Sequence, residues 1–359
     1  MNNHIPSYPS YLQLNRLLNS QRPPAPINGD ADAERDVLHH EELLFIIMHQ
    51  TMELWFKQVI SDMGLARDLL GRPRKDSGVV PERDVPRACG LFDRTAKILQ
   101  HLTNQFGIIE TMEPMQFLAF RDALIPASGF QSAQFREVEI LAGLKDDDRI
   151  HFEGQPYFTR VDEAQQDRLR LCAEEQSVRD AMIQWLARTP VEEAFPDFVS
   201  TFLAAYNSYI DEQIAFQCNN PNIVAAQKEK IESLFETTKV EAQAFLTEGD
   251  DLEKKAHCAF LFVASYRTEP LLRWPYALIE RALEFEEHFR LFRFRHARMV
   301  ERMIGLRVGS GGSSGVKYLD ATTSRYRIFG QLLKATSFLI DRSRLPDVPN
   351  PDILEFRRT

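Results

Sequence analysis

The chain has no apolar run of the roughly twenty residues that a membrane-spanning helix needs. Its N-terminus, MNNHIPSYPSYLQLN, has neither a basic start nor an apolar core of the kind a secretory leader carries. The four cysteines, Cys89, Cys172, Cys218 and Cys258, are far apart and form no CxxC or CxxCH pair, which excludes a zinc ribbon and a c-type covalent haem attachment. They are expected to be reduced thiols of a cytoplasmic protein. Positive charge is not in surplus: the formal net charge is −9, against general binding of nucleic acid or anionic membrane. Sustained period-2 alternation is almost absent, so a sheet is not expected. P-loop, Rossmann GxGxxG, HExxH and GxSxG signatures are absent too, so any chemistry must come from dispersed residues.

What is present is helical pattern with ample apolar material. Hydrophobic residues make up 44% and charged residues 26% of 359, the balance of a soluble globular protein. Length alone suggests about two domains at ~150 residues each. The patterning instead predicts a polar arm and short helix over 1–26, then one all-α domain over 27–359, with 145–250 a helical elaboration on it. Pro23, Pro24 and Pro26 end the arm. Long helices are predicted from about Glu41 to Leu70, Val85 to Phe106 and Pro275 to Ile304. Shorter ones are predicted over Ala164–Leu186, Phe195–Phe216, Pro221–Leu246, Leu252–Tyr266 and Thr322–Ile340. Between 114 and 142 the pattern is helix, turn, helix, broken at Pro126 and Gly129, with Ser128 able to cap the second helix.

Four features could carry chemistry. In EELLFIIMHQTMELWFKQVI (41–60), His49 lies on an otherwise apolar helix, one turn from Phe45 and from Glu53, with Glu53 and Lys57 at the spacing of a helical ion pair. Taken alone, such a histidine is a hydrogen-bonded core residue. Arg121 and Ser128 fall near one turn. In HFRLFRFRHARMVERMIG, Phe289, Phe292, His296 and Met299 share one helix face. That suits a buried axial ligand to haem iron, with arginines 290, 293, 295 and 298 a solvated face, paired with Glu284, Glu286 and Glu287, or available to haem propionates. Last, GSGGSSG (309–315) reads either as a flexible linker or as a backbone cradle for a carboxylate or phosphate, using Ser310, Ser313 and Ser314.

Together these stretches are specific. Tyr8-Pro-Ser-Tyr11-Leu12, LLFIIMHQTMELWFKQ (43–58), FRDALIPASGFQSAQFREVE (120–139), FRFRHARMVERMIG (292–305) and GSGGSSGVKYL (309–319) occur in one order and resemble the tryptophan 2,3-dioxygenase family. The likeness covers nearly the whole chain and is weakest over 145–250. It implies an all-helical homotetramer, a dimer of dimers, with one haem b per subunit. His296 would be the proximal iron ligand and His49 a distal residue at the substrate indole N–H. Arg121 would pair with the tryptophan carboxylate, Ser310 would contact the substrate's polar groups, and Ser128 would face a haem propionate. Phe45 and Phe117, with Tyr8, Tyr11 and Leu12 from a neighbouring subunit, would close the indole pocket.

The implied reaction inserts both atoms of O2 across the indole C2–C3 bond of L-tryptophan to give N-formylkynurenine, the first step of the kynurenine pathway. The chain departs from the common pattern with serine for threonine at 310, phenylalanine for tryptophan at 292, and phenylalanine at 117 where some members have tyrosine. Val300 stands where a divergent branch has a haem-linking cysteine, so haem should be non-covalent. Two other readings are a superfamily relative that mono-oxygenates a modified tryptophan, and a haem-binding sensor without turnover.

Overall fold

The computed structural model describes residues 7–21, 39–71, 82–125, 127–150, 161–307 and 315–355, and among these there is no strand. Fifteen α-helices follow one another among the described residues. They are α1 Tyr8–Tyr11, α2 Leu14–Leu17, α3 His40–Gly71, α4 Val85–Ile109, α5 Pro114–Arg121, α6 Ala133–Ala142, α7 Glu163–Glu174 and α8 Val178–Leu186. Then come α9 Val191–Ala194, α10 Phe198–Cys218, α11 Ala225–Thr247, α12 Asp251–Ser265, α13 Arg273–Ile304, α14 Val316–Arg325 and α15 Gly330–Thr336. The predicted all-α class is the observed one.

Three long helices, α3, α4 and α13, form the frame, with α4 packed between the other two. On α4 the side chains of Ala88, Leu91, Phe92, Leu99, Leu102 and Phe106 recur every three or four residues and are buried, so one face of the helix is continuous core. Each such side chain contributes about 1.5–3 kcal/mol on leaving water. The α3–α4 contact is also stapled by charge. Buried Asp62 on α3 receives Arg94 Nε from α4 at 2.7 Å and Gln58 Nε2 at 2.9 Å, which satisfies a carboxylate that would otherwise be costly there.

Several boundaries differ from the sequence reading. Ser128 caps a short 3-10 turn, Gly129–Gln131, while Ser132 caps α6 by accepting from Phe135 N at 3.2 Å. The helix predicted over 164–186 is two, parted at 175–177, where Ser177 caps α8. α13 begins at Arg273, two residues before the predicted Pro275, because proline in the first turn forgoes only an N–H that has no helical partner. The final predicted helix is also two. The buried Glu286 carboxylate on α13 accepts the backbone N–H of Ile328 and of Phe329, both at 2.8 Å, and so captures two amides between α14 and α15. The loop expected over 71–84 lies mostly outside the described residues.

Gly143, which ends α6, is fixed on two counts. Its φ is +118°, and a Cβ there would stand 2.7 Å from Arg179 Cβ on α8. Gly143→Ala is therefore expected to lower the unfolding free energy by about 1–3 kcal/mol from backbone conformation alone, and further because α6 and α8 must part. Urea unfolding checks this against Gly107→Ala, where nothing lies within 4 Å; equal midpoints in the two variants would refute it.

Candidate functional site

Between α3, α5, the turn that precedes α6, and α13 lies a cavity of about 270 Å³. One water needs about 10–15 Å³ on the same measure, so the space is that of a large ligand and not of a packing defect. The side chains of Phe45, His49 and Arg121, of Phe117 and Ser128, and of His296 all line it. Residues far apart in sequence are thus brought to one place.

On α3, Phe45, His49, Met52, Glu53 and Phe56 lie three or four apart or adjacent, and face the cavity as one stripe. Phe45 stands 4.1 Å from the His49 ring and 5.8 Å from Phe117 on α5, between ring centroids, giving an aromatic wall. His49 Nδ1 lies 2.7 Å from the carbonyl oxygen of Phe45. A carbonyl can only accept, so Nδ1 carries the hydrogen and Nε2 keeps its lone pair. Burial pushes the His49 pKa down, outweighing the Phe45 carbonyl and the Glu53 carboxylate, which pull it up. The neutral imidazole with an acceptor Nε2 is the stable form.

His296, on the opposing helix α13, stacks on Phe106 at 5.6 Å and on Phe292 at 6.5 Å. Burial, reinforced by the nearness of His49 and Arg293, pushes its pKa down to about 4. It makes no hydrogen bond to any described residue, so a neutral, hydrogen-bond-free imidazole faces the cavity. No group of three or more His, Cys, Asp or Glu able to hold a metal ion occurs among the described residues. A single imidazole is too few ligands for a bare ion, yet enough for a metal whose other positions a non-protein group fills.

The arginines of α13 divide. Arg295 pairs bidentately with Glu110 at 2.7 and 2.5 Å, and Arg298 with Glu301 and Asp320, partners other than the Glu284, Glu286 and Glu287 expected from sequence. Arg293 turns inward to the cavity wall and pairs with Glu139. Glu139 is fully buried and also receives Arg136 at 3.0 Å and Arg149 at 2.6 Å. Sequence reasoning missed this hub, although Arg136 and Glu139 at i, i+3 within QFREVE were a visible signal. It also misread Glu53. That carboxylate is paired not with Lys57 but with Ser132 and Gln134, whose polar side chains reach it from the α6 N-terminus.

Of the remaining candidates, Ser310 and most of the glycine loop lie outside the described residues, while Gly315 at the loop's end lines the cavity. Tyr8, Tyr11 and Leu12 do not line it. They are 74%, 75% and 41% exposed. The arm that carries them is tied at its base to α3, where Gln21 Nε2 donates to Gln50 Oε1 at 2.6 Å and Gln50 Nε2 to the Ser20 carbonyl at 3.1 Å.

Comparison with known proteins bears on this arrangement. A family model described as tryptophan 2,3-dioxygenase matches residues 2–339. The tryptophan 2,3-dioxygenase of Bdellovibrio bacteriovorus is 36% identical over 95% of this chain and 95% of its own. Those of Dictyostelium discoideum and Xenopus laevis are 35% and 32% identical, over 95% and 98% of this chain and 86% of each relative. With the family's match running through every element that lines the cavity, the chain belongs to the tryptophan 2,3-dioxygenase family.

Proposed function

We infer that the protein is a haem-dependent tryptophan 2,3-dioxygenase that uses O2 to open the indole C2–C3 bond of L-tryptophan, giving N-formylkynurenine at the head of the kynurenine pathway. The observation that carries this reading is the pair of neutral histidines on facing helices, lining one largely aromatic cavity with Arg121. The donor set fits haem b, because the porphyrin brings four ligands and the chain offers one imidazole, His296. When bound, ferrous haem supplies an iron centre with one position open to O2. Val300, four residues after His296, offers no thiol for covalent attachment.

The other roles follow from residue chemistry. His49 Nε2 accepts the indole N–H and fixes the ring's orientation. The planar fork of Arg121 matches an amino-acid carboxylate. Phe45 and Phe117 wall the indole and keep water out. Ser128 accepts from Phe130 N at 3.4 Å, which leaves its hydroxyl hydrogen to donate to a haem propionate. Ser310 is assigned to the substrate's polar groups on the family likeness alone. Tyr8, Tyr11 and Leu12 close the pocket of a neighbouring subunit in a homotetramer, a dimer of dimers; their exposure, at the tip of an arm anchored by Gln50, supports this.

A cytoplasmic setting is supported by four free cysteines. No helix among the described residues is long and apolar enough to cross a membrane. Identity to named tryptophan 2,3-dioxygenases across about 95% of the chain favours dioxygenation over a mono-oxygenating relative.

The test is turnover of L-tryptophan by the haem-loaded ferrous protein under labelled O2, with both labels expected in the product. Incorporation of one label would favour the mono-oxygenase. Arg121→Ala is expected to raise KM about 10–100-fold, the worth of a lost charged hydrogen-bond pair, while keeping haem. Indifference to that change would favour a haem-binding protein without turnover.

A further inference from the structure

We propose that Glu53 is a positioning residue for substrate binding, acting through the turn at 128–132 that forms one wall of the cavity. The inference rests on the dioxygenase reading and goes beyond the roles given above. Glu53 sits one helical turn after His49 and is the one carboxylate among the described residues that line the cavity. Its Oε1 accepts Ser132 Oγ at 2.5 Å, its Oε2 accepts Gln134 Nε2 at 2.8 Å, and its own backbone carbonyl accepts the same Nε2 at 2.9 Å. Three hydrogen bonds thus converge from the α6 N-terminus on a single residue of α3.

That convergence matters because of what hangs on the turn. Among the described residues between Arg121 and Ser132 the backbone forms two short 3-10 turns, Asp122–Leu124 and Gly129–Gln131, rather than a long helix like α3 or α13. Its far side rests on Phe130, whose ring lies 4.9 Å from Tyr318 on α14. Its near side rests on Glu53. The turn is therefore a bridge between the helix of His49 and the helix that follows the glycine loop, and Glu53 is its abutment on α3. Ser128 rides on it, and Arg121, the last residue of α5, leads towards it through the 3-10 turn Asp122–Leu124. Loss of the abutment lets the carboxylate-recognising and cofactor-facing groups shift together, and a displacement of an ångström in a positioned group is worth up to a hundredfold in rate or affinity. Ser132 serves twice, capping α6 and gripping Glu53, so the register of α6 is tied to α3 by the same hydroxyl.

The test compares haem-loaded parent, Glu53→Ala, Glu53→Gln, Ser132→Ala and the Glu53→Ala/Ser132→Ala double variant. Positioning through the bridge predicts that either alanine raises KM for L-tryptophan about tenfold with a much smaller change in kcat. The double variant should be no worse than Glu53→Ala, because the contact that Ser132→Ala removes is already lost in Glu53→Ala. Glu53→Gln keeps an acceptor oxygen and should recover most of the affinity. Hydrogen exchange at the amides of Phe130, Gln131 and Ser132 should quicken in Glu53→Ala while that of α13 stays unchanged.

Unchanged KM, multiplicative effects of the two alanines, or a raised KM without faster exchange at 130–132 would each overturn the proposal. Should Glu53→Ala fail to fold, the KM of Ser132→Ala decides alone. If the parent itself does not turn over L-tryptophan, the dioxygenase reading falls, and the exchange comparison still decides whether Glu53 holds the bridge.

Discussion

His296→Ala is expected to yield a folded protein that no longer retains haem, whereas His49→Ala should retain it and lose substrate positioning. The asymmetry follows from what each ring already does. His49 spends its Nδ1 hydrogen on the Phe45 carbonyl at 2.7 Å, which sets the ring against α3 and leaves Nε2 to accept. His296 has no such commitment among the described residues. Aromatic rings hold it on two sides, and it is kept neutral, as an axial ligand must be. Of the two histidines that line the cavity, it is the one that makes no hydrogen bond to a described residue. The fold should survive, since Phe106, Phe292 and Met299 around it are themselves buried in the α4–α13 contact. The visible absorption spectrum and haem stoichiometry of the two purified variants settle the matter. Haem lost from His49→Ala and kept by His296→Ala would show that the two roles are reversed.

Legibility in the sequence tracked the range of the interactions. The frame helices were readable because their apolar stripes recur every three or four residues over about six or more turns, and His296 was readable because it shares such a stripe with Phe289, Phe292 and Met299. Boundaries set by a distant side chain were not. Nothing near Tyr326 announces that Glu286, about forty residues earlier, captures the amides of Ile328 and Phe329 and ends the helical run there. Glu53 shows the same limit from the other direction. Its local partner Lys57 was in plain view, yet a solvated i, i+4 pair is worth only about 0.2–0.5 kcal/mol, and two donors from α6 displaced it. The meeting of His49 and Arg121 with His296 was legible only through family resemblance, since no spacing rule connects positions so far apart. The Glu139 hub was half legible: Arg136 is local, but Arg293 arrives from another helix.

That hub is where the largest loss of stability is expected. Glu139→Ala should destabilise the protein by about 3–5 kcal/mol, the range for breaking a buried ion pair by removing one partner. This is a large part of the about 5–15 kcal/mol that typically separates folded from unfolded chains. The reason is the imbalance left behind. Arg136, Arg149 and Arg293 are each almost wholly buried, and among the described carboxylates that pair with them Glu139 is the buried one; Asp146, beside Arg149, is 67% exposed. Stacking of Arg293 on Phe135, Phe289 and Tyr326, at 5.1, 4.7 and 4.8 Å, relieves part of its desolvation but does not neutralise it.

The same geometry sets a pH signature. Burial by itself would push the Glu139 carboxyl up, but Arg136, Arg293 and Arg149 outweigh it and hold the group well below the ordinary carboxylate range. Its folded pKa is thus below its unfolded value of about 4.3. The group's stabilisation is therefore complete above that value and is lost as pH falls through the folded pKa. Unfolding free energy of the parent should decline steeply from about pH 4 downward, and Glu139→Gln, already weaker at neutral pH, should decline less over the same interval. Parallel curves for the two proteins would mean that the carboxylate's charge is not what holds α6 to α13.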